Sequence, residues 1–171
     1  EWINKNRTLF QYADVIEADE NKGTVINYQK IYDSLCTEYF HIIAGDDLFS
    51  SKSIFDYIKQ LDHFEMVTTI PISLNEHGLF VEYFRLYRFI GNMKKAEWSS
   101  KQLVYKEMFG SFVHTPSTVF RKELYDKAAQ CYVSKFDLFE DDPRWFNFFQ
   151  KTANILFELY PIVLYRYHDE S

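Results

Sequence analysis

Cysteine is scarce: Cys36 and Cys131 stand far apart and form no CxxC pair. That spacing is far from a disulfide scaffold and poorly suited to structural zinc, so both thiols are expected reduced, with a single bridge left open. Long apolar runs are missing as well. Nothing approaches the roughly 20 residues of a membrane span, and Glu1-Trp2-Ile3-Asn4-Lys5 does not resemble a signal peptide. Basic blocks are absent, 19 Lys and Arg facing 25 Asp and Glu for a net charge of −6. No footprint for phosphate backbones remains, which argues against a nucleic-acid partner. With 5 Gly and 4 Pro among 171 residues there is no linker, repeat or low-complexity stretch, and residues 1–171 read as one domain.

What is abundant is aromatic. Phe, Tyr and Trp make up 19% of the chain, a density that calls for a substantial core or for flat ligands such as sugars and bases. Asn21-Lys22-Gly23 is turn chemistry. Val25, Tyr28, Tyr32 and Leu35 then recur at helical steps. Tyr39 to Ile43 is a short apolar run that suits a buried strand, and it stops at Ala44-Gly45-Asp46-Asp47. Ile54, Ile58 and Leu61 mark a second helix with Ser51 or Ser53 as its N-cap. Met66 to Ile72 reads as one strand closed by Asn75-Glu76-His77-Gly78. Leu79 to Phe89 alternates aromatic and charged residues as a half-exposed strand or hairpin arm would. Helices are expected over 100–108, 122–130 and 141–151, the last opened by acids and Pro143. A strand is expected over 117–120, and a strand pair or one long bent strand carrying Pro161 over 155–167. Strands alternating with helices imply an α/β layered fold with a largely parallel sheet. Ligands in such sheets bind beyond the carboxyl ends of strands, where Gly45-Asp46-Asp47 falls.

Two adjacent carboxylates repel unless screened, and a hard divalent cation takes one or two of them together with phosphate oxygens. Asp46 and Asp47 answer that description; they equally suit a solvated turn or a helix cap. In Glu140-Asp141-Asp142, Asp141 can serve as a general base toward an attacking hydroxyl, or the cluster simply complements a helix N-terminus. His168 can complete a metal shell, and Arg166 suits a diphosphate. His41, inside an apolar strand, reads as a satisfied core residue; His114 has no such context.

In order along the chain, four stretches resemble the family-2 glycosyltransferases of the GT-A fold. They are Asn21-Lys22-Gly23-Thr24-Val25-Ile26-Asn27, Glu38 to Leu48 with its Gly45-Asp46-Asp47, Phe136 to Trp145 with Glu140-Asp141, and Tyr165-Arg166-Tyr167-His168. Between them, Thr115 to Lys122 resembles the segment leading away from the acceptor side. The resemblance implies an α/β, GT-A-like fold for nucleotide-diphospho-sugar transfer, and an inverting transfer to the hydroxyl of a saccharide or lipid-linked saccharide acceptor. It implies Asp141 as catalytic base with Glu140 beside it, and Asn21, Gly23, Asn27, Asp46 and Arg166 on the nucleotide sugar. Asp46, Asp47 and His168 would hold Mn²⁺ or Mg²⁺. A bacterial surface-polysaccharide or glycoconjugate role follows, cytoplasmic or at the inner face of the membrane. Ala44 stands where the family carries the first acid of its metal motif. No Pro-x-Tyr-Asn-like loop occurs in residues 1–20. On the resemblance the chain is therefore expected to be the metal-binding and acceptor-side portion of a domain lacking its first strand–helix–strand unit, and inactive alone. The competing expectations are a non-catalytic carbohydrate or protein interaction module and a metal-dependent nucleotide-diphosphate hydrolase.

Overall fold

A computed structural model describes residues 5, 8, 12–17, 20, 22–93, 113–124, 142–151 and 154–168, without the side chains of 92–93 and 142–144. The chain enters its first helix at Gly23, whose φ of 86° is left-handed territory that costs glycine nothing. Helix α1 (Thr24–Ser34) buries Val25 and Tyr32. It ends where Leu35 turns extended and returns its N–H to the Tyr32 carbonyl. Strand β1 (Tyr39–His41) follows, then β2 (Leu48–Phe49). Helix α2 (Ile54–Ile58) is capped by Ser53, whose hydroxyl accepts from the Phe55 N–H, and it runs on into a 3-10 turn over Lys59–Asp62.

Met66 to Ile72, expected as a single strand, is divided. β3 (Met66–Thr69) belongs to one sheet and β4 (Ile72–Asn75) to another, with Ile70-Pro71 between them. Proline has no N–H to donate to a ladder, so a change of sheet there costs little pairing. The expected turn does close a hairpin: Asn75 Oδ1 accepts from the His77 N–H at 2.9 Å, and Gly78 at φ 119° leads into β5 (Gly78–Phe80). Beyond Phe80 the expected extended arm is overturned. Tyr83–Met93 is a helix, α3. The aromatic residues of this stretch satisfy both a two-residue and a helical period, and Phe89 settles the matter by burying against Phe157 at 5.5 Å between ring centroids. The helix expected over 100–108 and most of that over 122–130 lie outside the described residues. Strand β6 (Thr118–Arg121), helix α4 (Asp142–Lys151), β7 (Ile155–Glu158) and β8 (Val163–Arg166) complete the order.

The strands form two four-stranded sheets, β1-β6-β3-β7 and β2-β8-β4-β5. The architecture is mixed α/β, as expected, but the sheets are not largely parallel. Only β3 with β7 and β4 with β8 run parallel; β6 lies antiparallel between β1 and β3, and β2 and β5 are antiparallel to their neighbours. Strand direction is fixed by partners distant in sequence, which local periodicity does not report.

The first sheet is buried on both faces. Phe40, Met66, Phe120 and Ile155 point to one side, against Tyr32 of α1 and Trp145, Phe148 and Phe149 of α4. Those three α4 residues stand at i, i+3 and i+4, the spacing of one helix face. Trp145 stacks on Phe120 at 5.5 Å, and Phe120 on Phe40 at 5.1 Å. Val67 and Val119 face the other side, against Tyr57, Leu61, Ile162 and Val163. Adjacent strand residues entering opposite cores is the period of two that a fully covered sheet requires. Among the described residues, no helix is long and apolar enough to cross a membrane.

Candidate functional site

β1 and β3 each run antiparallel to β6, and β7 runs parallel to β3, so β1, β3 and β7 share one direction. Their carboxyl ends fall at the same edge of the sheet, where helix-covered α/β sheets place ligands. The segment His114-Thr115-Pro116-Ser117 arrives at this edge before entering β6. His41, at the end of β1, ties to it through a 2.7 Å contact between Nε2 and the Pro116 carbonyl. Burial lowers the His41 pKa, and that carbonyl bond partly offsets the shift. The ring is a satisfied core group.

Beyond His41 the chain makes a turn in which the Asp47 N–H donates to the Ala44 carbonyl at 3.2 Å. The two aspartates of this turn meet opposite surroundings. Asp47 is 8% exposed. Its Oδ1 accepts from the Arg166 backbone N–H at 2.8 Å, while its Oδ2 is buried with no hydrogen-bond partner among the described residues. Burial raises its pKa, and the Arg166 N–H works against that rise. Asp46 faces outward and meets His168 Nε2 at 2.7 Å through Oδ2. The His168 bond is the main reason the Asp46 carboxyl lies below its ordinary range. Arg166 Nε donates to the Asp46 carbonyl at 2.9 Å. Arg166 and His168 are two apart on an extended segment and so fall on the same side. Two of the residues singled out from sequence, Arg166 and His168, thus converge on a third, Asp46.

Beside this cluster lies a pocket of about 470 Å³, bounded by Gly23, Thr24 and Asn27 at the start of α1, Ile42 and Ala44 after β1, and Pro116. Among the described residues no side chain caps the N-terminus of α1, and first-turn backbone N–H groups at a helix start suit a ligand anion or water. Gly23 and Asn27 therefore share one cavity with the loop that carries Asp46, although α1 and that loop are separated by Leu35 to His41. Thr115 and Pro116 in its wall were marked in the sequence only as the start of the stretch resembling the segment that leads away from the acceptor side, with no role of their own. Asn21, Glu140 and Asp141 lie outside the described residues, and α4 begins at Asp142.

Among the described residues, no three His, Cys, Asp or Glu side chains gather as a complete metal cage would require. The donor set that does converge is one carboxylate oxygen and one imidazole nitrogen, Asp46 Oδ2 and His168 Nε2. Mg²⁺ and Mn²⁺ are commonly held by one or two protein ligands plus substrate phosphates. As placed, these two atoms bond each other at 2.7 Å, and a cation there would have to replace that bond and draw its remaining ligands from an oxygen-rich anion. Asp47, its Oδ1 engaged with the β8 backbone, anchors the loop from beneath.

Comparison with protein-family models gives no match, and comparison with curated proteins gives none either.

Proposed function

We propose that the protein takes part in inverting transfer of a sugar from a nucleotide-diphospho-sugar to a saccharide or lipid-linked saccharide hydroxyl. The observation that carries this reading is the juxtaposition of the Gly23–Asn27–Ala44 pocket with the Asp46–His168–Arg166 cluster at one sheet edge. The pocket is largely apolar in its walls and polar at the α1 terminus, as a base or sugar joined to phosphate would need. The first turn of α1 and the Arg166 guanidinium offer two separate sources of positive potential for a diphosphate. Asp46 and His168 would hold the Mn²⁺ or Mg²⁺, which when bound neutralises charge on the departing diphosphate. In this reading Asp47 keeps Arg166 in register, and Asp141, beside Glu140, takes the proton of the acceptor hydroxyl, as the family resemblance assigns it. The same reading carries a cytoplasmic location, at the inner face of the membrane when the acceptor is lipid-linked.

The test is calorimetric titration, on the full protein that carries this chain, with UDP and with GDP, each with and without Mn²⁺. Binding should strengthen with Mn²⁺, and both Asp46→Asn and His168→Ala should remove the metal-dependent part. Asn27→Ala should weaken the remainder. Absence of binding to both UDP and GDP, with or without metal, would sink the proposal. Where turnover is measurable, glycoside formed from an added acceptor supports transfer, and free sugar alone marks a hydrolase.

A further inference from the structure

Helix α3 has two apolar faces, one of which is buried among the described residues. Phe89 is 1% exposed and packs against Phe157 of β7. On the other side Tyr83, Phe84 and Tyr87 are 81%, 60% and 73% exposed, with Ile90 exposed beside them. At 3.6 residues per turn, Ile90, Tyr83, Tyr87 and Phe84 sweep an arc of roughly 120°, and no charged residue of α3 falls inside it. The Tyr83 and Tyr87 rings stand side by side, 6.4 Å apart and 23° from parallel. At the flank of the arc the Arg88 guanidinium lies 3.7 Å over the Phe84 ring. From Glu82 to Lys95 the sequence carries Arg85, Arg88, Lys94 and Lys95 against the single acid Glu82. This is a locally basic segment in a chain of net charge −6.

Two exposed tyrosines, Phe84 and Ile90 on one helix face, with Arg88 at its flank, Arg85 paired to Glu82 at 2.9 Å and two lysines following in the sequence, match the interface between lipid headgroups and acyl chains. Aromatic rings of this amphipathic kind settle at headgroup depth, and cations beside them meet anionic phosphates. A saccharide could stack on Tyr83 and Tyr87 but would leave Ile90 and Phe84 in water. A second copy of this chain would bring its own basic segment against this one. We propose that the Tyr83–Phe84–Tyr87–Ile90 face of α3 docks the protein on an anionic lipid surface. The inference stands apart from the transferase reading and would hold were that reading wrong.

Sedimentation with vesicles tests it, using phosphatidylglycerol and phosphatidylcholine in equal parts and, separately, phosphatidylcholine alone. The chain should pellet with the anionic vesicles, less with the neutral ones, and less as salt is added. The double variant Tyr83→Gln/Tyr87→Gln, whose side chains touch little of the core, should partition at least about tenfold more weakly while melting as the parent does. Should the double variant not fold, the two single substitutions carry the same comparison. Failure of the parent to pellet with anionic vesicles overturns the proposal, as does unchanged partitioning of a folded variant. Self-association abolished by the same variants, without vesicle binding, would assign the face to a second copy instead.

Discussion

Asp46 and Asp47 are chemically identical neighbours, and replacing Asp47 separates an anchor from a ligand. Asp47→Ala removes the acceptor of a 2.8 Å bond from the Arg166 N–H, and a partly buried N–H left without a partner costs about 1–3 kcal/mol. That N–H sits at the end of β8, two residues beyond Leu164, which meets Leu48 of β2. Asp47→Asn keeps an oxygen in the acceptor position and removes the charge that burial opposes. It should therefore fall within about 1 kcal/mol of the parent. The pH dependence follows from the raised pKa. The folded state holds the Asp47 proton more tightly than the unfolded state, so its stabilising contribution is complete below the ordinary value of 3.8 and is lost as pH rises through the folded pKa. Relative to the parent, Asp47→Asn should gain stability over that rise and hold it to neutrality. Urea melts of the three proteins, in acid and at neutrality, provide the measurement. Equal melts for the alanine and asparagine variants would refute the anchoring bond. An asparagine variant that weakens steadily with rising pH would refute the burial argument.

His114 is the second titration to follow. Burial, helped by the Arg85 charge, pulls its pKa from 6.5 down to about 3. The unfolded chain thus takes up this proton first, and stability should fall as pH drops from 6.5 toward 3, with no contribution above that window. Ring-proton NMR should find His114 neutral well into the acid range, and His114→Gln should flatten the acid limb of stability. In the core, Trp145 is fully buried between Phe120, Phe148 and Phe149. Trp145→Ala should cost about 3–5 kcal/mol in a denaturant melt, and Trp145→Phe, which keeps an aromatic ring in place, less than half as much.

Local signals read well where one residue pattern admits one structure. Val25, Tyr28 and Tyr32 announced α1, Ser53 its cap on α2, and Asn75 to Gly78 the turn between β4 and β5. The loop at Asp46 was legible because an apolar run ended at two acids. Partnership was not legible. Nothing near Asp47 indicates that its carboxylate turns inward to the β8 backbone, and that Asp46 lies near His168 from the far end of the chain was expected only through the family resemblance. The aromatics of Leu79 to Phe89 fit two periods at once, and only Phe157 of β7, distant in sequence, decides between them. Likewise the split of Met66 to Ile72 depends on β7 and β8, each of which pairs with one half.

That split has a consequence in time. Segments 66–75 and 155–166 run side by side, the first pairing with the second in both sheets, and each has a proline, Pro71 and Pro161, where it passes from one sheet to the other. Among the described residues β2 pairs with β8, and β8 also joins the β4–β5 hairpin to it. On the ribosome, the second sheet must wait for nearly the last residues of this sequence, leaving β2 and the β4–β5 hairpin unpaired meanwhile. Contacts so distant along the chain close slowly, and nascent strands held open in this way are natural clients for a chaperone.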